Sequence, residues 1–237
     1  MGLLTGLNEI DEKISFKSSE LICILSQRED WGRSFALSII LNNKDLKGCY
    51  ISLSKHCEFI ENLLAVLQPE SKDKESIEDC IRFVELPSEI QLLEKLSELS
   101  NEFDYFIIDS VSYIKPYNHK VFEKSSKTQR ILRVLKIVTQ LMEKNIILLG
   151  DFDIRDGEIA QKGLSYVVNR EKYIDYIFTL KRSGVEYELD FEGGMYAAPD
   201  KMMGDEHVVL ESINRKSICS DVRLDLKFDS GARRFNL

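Results

Sequence analysis

Short apolar runs alternate with helix-periodic stretches through the first 150 residues. Leu21-Ile22-Cys23-Ile24-Leu25 is uninterrupted by polar residues, the pattern of a strand covered on both faces. A polar turn, Ser26 to Ser34, follows, and Phe35, Leu37, Ile39, Ile40 and Leu41 then open a helix. Gly48–Leu53 predicts a second strand, and Lys55–Leu67, apolar at Phe59, Ile60, Leu63, Leu64 and Leu67, its helix. Pro69–Asp79 is charge-rich and predicts a surface loop, Cys80–Leu86 a third strand, and Pro87-Ser88 the start of a helix with Ile90, Leu92, Leu93, Leu96 and Leu99 inward. Asp104–Asp109 is a fourth strand ending in a carboxylate. A basic stretch from Lys115 to Lys136 merges into a helix reaching about Lys144, and Asn145–Gly150 is a fifth strand. This alternation predicts βαβ units: an α/β fold with a mostly parallel central sheet and helices on both faces.

The two ends differ from this middle. Residues 1–18 form a lead-in with Leu4, Leu7, Ile10 and Ile14 at helical spacing. After Gly150, Asp151–Arg170 reads as a polar connection, Ile174–Leu180 as a strand, and Gly184–Gly204 as a loop. His207–Ile213 and Val222–Phe228 predict two more strands. The alternation in Val-Arg-Leu-Asp-Leu-Lys-Phe gives one wet face, so the tail is an antiparallel strand extension on the parallel core. No repeat or linker interrupts the chain, and residues 1–237 are expected to form a single domain.

Composition narrows the class. At 237 residues, with 43% hydrophobic and 30% charged side chains, the chain has the balance of a globular protein. No apolar run approaches the ~20 residues of a membrane span. The start, MGLLTGLNEIDEK, is too acidic and too briefly apolar for a signal peptide. Five scattered cysteines without CxxC spacing point to a reducing, cytoplasmic setting, and three isolated histidines argue against zinc. A net charge of −8 is unlike a dedicated duplex-DNA binder, so nucleic-acid contact must be local. The sustained basic stretch is the place for it: Lys115, Lys120, Lys124, Lys127, Arg130 and Arg133, near the stacking-capable Tyr113 and Tyr117. The same stretch reads as well as a solvated helix face.

The candidate chemistry lies between the first strand and its helix. Strand, turn and helix is the setting of a phosphate-binding loop, where backbone N–H groups and the positive helix end hold an anion. Gly32-Arg33-Ser34 stands where such a loop carries Gly-Lys-Ser/Thr, without the leading Gly. Arg33 keeps the charge but is planar and forked, unlike the compact ammonium of Lys. Ser34 remains a possible metal ligand, and Asp109, ending an apolar strand, is placed like a carboxylate of the Mg²⁺ shell. An ordinary strand–helix turn and a strand-end Asp explain the same residues.

Several stretches in the same order resemble the C-terminal motor domain of DnaB-type replicative helicases, within the RecA-like P-loop ATPases. TGLNEID (5–11) is similar to the family's opening segment, SELICILSQREDWGRSFALSI (19–39) to its strand, P-loop (Walker A) and helix, and CYISLSKHCEFIENLLA (49–65) to the strand and helix that follow. FDYFIIDSVSYI (103–114) resembles the Walker B strand. RILRVLKIVTQLMEKNIILLG (130–150) resembles the helix and strand before the sensor, YIDYIFTLKR (173–182) the next strand, and HVVLESINRK, VRLDLKF and RRFNL (207–237) the closing strands. The resemblance covers nearly the whole chain and implies a RecA-like fold, ATP and Mg²⁺ as ligands, a hexameric ring, and single-stranded DNA or an active replicative helicase as partners.

Carried over by position, the resemblance makes Arg28, Gly32, Arg33, Ser34, Asp109 and Arg215 the nucleotide-binding residues, with Ser34 and Asp109 on the metal. It implies two channel loops, the first at Lys115, Lys120, Lys124, Lys127 and Arg130. The catalytic positions depart from the family. The loop Lys is Arg33, the general-base Glu is Ser54, the sensing Gln is near Asp151, and the Lys of the closing Lys-x-Arg is Ile213. A hydroxyl is a poor base beside a carboxylate, and a single trans-acting cation is worth roughly 10³–10⁵ in rate. The first reading is thus a replication-associated DnaB-like domain with its ATPase impaired or lost. The alternatives are an active ATP-dependent DNA helicase or translocase with rearranged catalytic residues, and a RecA-fold interaction module without nucleotide.

Overall fold

The computed structural model of the chain describes residues 2–14, 16–43, 45–53, 81–83, 88–110, 113–114, 127–151, 153–155, 158–160, 173–183, 187–189, 195–197, 206–214, 222–229 and 234–236. Strands of the parallel half are β1 (Leu21–Ser26), β2 (Gly48–Ser52), β3 (Ile81–Phe83), β4 (Tyr105–Asp109) and β5 (Asn145–Asp151). Two short hairpins flank the next long strand: β6 (Asp153–Arg155) with β7 (Glu158–Ala160), then β8 (Tyr176–Arg182), then β9 (Tyr187–Leu189) with β10 (Met195–Ala197). The chain closes with β11 (Glu206–Asn214), β12 (Val222–Asp229) and β13 (Arg234–Asn236). The described helices are α1 (Asn8–Asp11), α2 (Glu29–Asn42), α3 (Glu89–Leu99) and α4 (Lys127–Met142).

Nine strands form one sheet in the order β13-β12-β11-β8-β1-β5-β4-β2-β3. From β3 to β8 the neighbours run parallel, and β11, β12 and β13 add antiparallel to β8. The strand period of two divides the core between two faces. Ile22, Ile24, Tyr50, Ile107 and Leu149 face α2, while Cys23, Leu25, Cys49, Ile108 and Leu148 face α3 and α4. Helices therefore cover both faces, as the alternation predicts. None of the described helices is long and apolar enough to cross a membrane.

α2 is buried almost continuously from Trp31 to Leu37 because it is enclosed on more than one side. It packs on β1 and β5 below, while Trp31 meets Phe228 edge-on (6.2 Å between centroids) and Phe35 meets Phe235 (6.4 Å) from the antiparallel extension. α3 starts at a full capping box: the Ser88 hydroxyl accepts from Gln91 N, and the Gln91 side chain accepts from Ser88 N.

The N-terminal segment folds differently from its periodicity. Only one helical turn forms, so Leu7, Ile10 and Ile14 are buried but Leu4 is 40% exposed. Leu3 goes inward instead, because it bridges Phe16 in extended conformation. The Asp11 carboxylate accepts from Thr5 N, Thr5 Oγ1 and Gly6 N, closing the Thr-Gly turn. Asn43 pins that turn to the end of α2 by exchanging hydrogen bonds with Leu4 N and O. The predicted polar connection after Gly150 and the predicted 184–204 loop each contain a hairpin, β6–β7 and β9–β10. The alternation in Tyr187-Glu188-Leu189 and Met195-Tyr196-Ala197 around Gly193-Gly194 is the signal for the second. The helix expected over 55–67 lies outside the described residues.

At the N-terminal end of the parallel strands, a polar network sets the register. Asn145 accepts from Glu20 N, and Asp175 Oδ2 accepts both from Leu21 N (2.7 Å) and from Lys136 Nζ (2.6 Å), which also donates to Ser19 O. With side chains 14% and 6% exposed, Lys136 and Asp175 form a nearly buried pair joining α4, β1 and β8. Breaking such a pair leaves an uncompensated charge and costs roughly 3–5 kcal/mol. Asp175→Ala is expected to lower the urea-unfolding midpoint by that order without changing the slope, read from the red shift of Trp31, the sole tryptophan and fully buried. A loss below about 0.5 kcal/mol, the level of a surface pair, would contradict it.

Candidate functional site

The carboxyl ends of the parallel strands form one edge, where open α/β sheets place their ligand sites. Ser26 ends β1 opposite Asp151 of β5, and Ser52 ends β2 opposite Asp109 of β4. On β4, Tyr105 and Ile107 point into the α2 face, so Asp109, two residues further, falls on that face too. Tyr50 of β2 shares it.

α2 begins earlier than its apolar pattern suggests. The helix starts at Glu29, so Gly32, Arg33 and Ser34 lie inside it, and the turn from β1 shrinks to Gln27-Arg28. Glu29 and Asp30 occupy the first turn, where their charges complement the positive helix end, and no leading Gly supplies the freer backbone of an anion-cradling loop. Gln27 ties the turn to β8, its N–H donating to Leu180 O and its Oε1 accepting from Arg182 N. Gly32 is needed for close packing: a Cβ there would lie 2.5 Å from Ser26 Oγ.

Arg33 crosses the sheet end to Asp109. Its Nε donates to Asp109 Oδ2 at 2.7 Å, and its Nη1 pairs with Glu29 at 2.9 Å one turn back on the helix. The Tyr50 hydroxyl donates to the same Asp109 Oδ2 at 2.7 Å. Arg33 and Asp109 are 6% and 4% exposed, and Tyr50 is fully buried. Burial alone would lower the Arg33 pKa, but the Asp109 charge outweighs it, pushing the guanidinium further from deprotonation. Burial, then the neighbouring Asp109 charge, raises the Tyr50 hydroxyl well above its ordinary pKa of 10.0, so it stays a donor. Ser34 Oγ, 2% exposed, has no hydrogen-bond partner among the described residues.

The other predicted residues are less concentrated. Arg28 is exposed at the start of α2, its guanidinium paired with Asp30 at 2.8 Å and lying 5.5 Å over the Trp31 ring. Trp31 itself belongs to the core. Asp151 is exposed at the end of β5. Arg130 pairs with Glu89, joining α4 to α3, so its charge is engaged within the fold. Arg133 lies over the Tyr173 ring at 5.3 Å. Lys127 opens α4. Ser54, Arg215, Lys115, Lys120 and Lys124 lie outside the described residues. Tyr50 and Glu29 join the cluster although no motif marks either of them. Glu29 at i, i+4 from Arg33 is a legible helix pair once the helix start is known, whereas Tyr50 meets Asp109 only through the β2–β4 register.

Whether Mg²⁺ fits can be judged from these contacts. The unpartnered Ser34 Oγ suits a metal shell. The carboxylate that would complete it does not: Oδ2 of Asp109 already accepts two hydrogen bonds, one from a cation. Unit charges about 4 Å apart interact by about 4 kcal/mol at an effective dielectric of ~20, so a divalent ion on the same carboxylate would be opposed by Arg33 at roughly twice that. Mg²⁺ also retains several waters, and Asp109 is buried. Among the described residues no group of three or more His, Cys, Asp or Glu is assembled to hold a metal. Mg²⁺ does not fit the residues as they are arranged.

No protein-family model matches the sequence, and no curated protein matches it. Solved structures do match by fold. The ATPase domain of a DnaB-family helicase superposes with a TM-score of 0.72 over 100% of this chain and 92% of its own, at 17% identity. A KaiC-like protein from Pyrococcus horikoshii OT3 gives 0.64 over 99% and 97%, at 14% identity. The mostly parallel sheet, its order and its antiparallel extension are thus those of the RecA-like ATPase fold, in the form the DnaB-like helicase ATPase domain takes.

Proposed function

We propose that this chain is a DnaB-like domain associated with DNA replication that has lost ATP hydrolysis and serves to join, cap or regulate an active helicase ring. The observation that carries this reading is the Arg33–Asp109 pair: the cation of the phosphate loop and the carboxylate of the metal shell neutralise each other at 2.7 Å. The helix start at Glu29 supports it, because the first turn offers two carboxylates to an approaching phosphate. Ser54 and Ile213, where the resemblance places a catalytic Glu and a trans-acting Lys, supply neither base nor charge. Whatever nucleotide enters meets Arg28, Gly32, Arg33, Ser34, Asp109 and Arg215. The proposed partners are an active replicative helicase, in a ring that is hexameric by resemblance, and single-stranded DNA along Lys115, Lys120, Lys124 and Lys127, in the cytoplasm.

The test is turnover. Purified protein with ATP and Mg²⁺ is expected to release no phosphate above background, with or without single-stranded DNA, and Arg33→Ala and Asp109→Ala are expected to leave that baseline unchanged. DNA-stimulated hydrolysis abolished by either substitution would establish the active-helicase alternative. Absence of fluorescent-ATP binding alongside absent turnover would favour the interaction module.

The cluster also has a stability signature. Tyr50→Phe removes a donor to a charged acceptor, worth roughly 1.5–3 kcal/mol, and should lower the urea midpoint accordingly. Because the folded-state pKa of Tyr50 is raised above 10.0, its contribution is complete below that pH and is lost as pH climbs toward the folded value, the unfolded chain ionising first. Wild-type stability should therefore fall more steeply above about pH 10 than that of Tyr50→Phe. Parallel alkaline limbs would contradict this assignment.

A further inference from the structure

We infer that Arg33 takes the place of a divalent cation in this fold: the chain carries its own positive charge on the carboxylate that a metal would otherwise neutralise. The inference deepens the proposed function and rests on reading Ser34 and Asp109 as the remnant of a metal pair. Asp109 ends a central parallel strand at 4% exposure, and a carboxylate so placed needs a cation. Arg33 supplies it from the neighbouring helix at 2.7 Å, with Tyr50 donating to the same oxygen and Glu29 holding the far side of the guanidinium. A planar guanidinium matches a carboxylate and is weakly hydrated, so it enters this buried corner without the water shell that Mg²⁺ keeps. Ser34 Oγ, buried beside Arg33 in sequence and unpartnered among the described residues, is the group this exchange leaves over. The folded state is consequently independent of divalent metal, and removing the guanidinium creates a demand for one.

The experiment reads stability without nucleotide, so its outcome is separate from that of the turnover assay. Melting temperatures are measured in EDTA, in millimolar MgCl₂ and in NaCl of matched ionic strength, for wild type, Arg33→Ala, Arg33→Met and the double variant Arg33→Ala/Asp109→Asn. Arg33→Met retains an apolar stem for packing and covers the case in which Arg33→Ala does not fold. Wild type should melt at the same temperature in all three. Each single variant should melt lower in EDTA and recover part of the loss in MgCl₂ but not in NaCl, and the double variant should show no Mg²⁺ response. In parallel, the electron paramagnetic resonance signal of free Mn²⁺ should be undiminished by wild-type protein. A wild-type melting rise with Mg²⁺ as large as that of the variants, uptake of Mn²⁺ by wild type, or no Mg²⁺ response in a folded single variant would each overturn the inference.

Discussion

A carboxylate buried at the end of a central parallel strand must be neutralised, and that requirement organises this end of the molecule. Asp109 lies on the α2 face because β4 alternates, and Arg33 reaches it because α2 runs over β1 and β5. The pair draws Tyr50 into place and sets where α2 can sit. Moving the helix by even part of a turn would strand both charges, and the enclosing contacts of Trp31 with Phe228 and of Phe35 with Phe235 would shift with it.

The opposite end of the sheet is held by a different device with the same logic. Lys136 and Asp175 are nearly buried, and each also bonds backbone at the start of β1. One network fixes where the parallel strands begin and the other fixes what stands over their ends. Between them lie two apolar faces that need no polar partners. Ions appear at the two ends because that is where strand backbone gives out and orphaned donors and acceptors must be met.

An ATPase-type fold can thus persist while its polar residues are used for cohesion. Gly32 is retained against Ser26, Arg33 against Asp109, and Asp11 against the Thr5-Gly6 turn, each with a packing or hydrogen-bonding reason inside this chain. Residues that resemble a motif are therefore judged by what they touch. Arg130 teaches the same lesson: it belongs to a basic stretch, yet its guanidinium joins α4 to α3 through Glu89.

Local periodicity and short-range hydrogen bonding suffice for the alternation of strands and helices, the switch to antiparallel strands after β8, and the helix cap at Ser88. The likeness to a DnaB-type domain is legible from its ordered stretches even though no single loop is complete. The start of α2 is only half legible: Glu29 and Asp30 are good first-turn residues, but the loop pattern around Gly32 suggests a longer turn. The single-turn lead-in and the two hairpins escape a reading by pattern, since short segments carry too little periodicity. How the charges are used is a matter of packing alone. Arg33 and Asp109 are far apart in the chain, and Tyr50 belongs to a third element. Their meeting depends on strand order, register and the position of α2, which are settled by the packing of the whole sheet and not by any residue's neighbours in sequence.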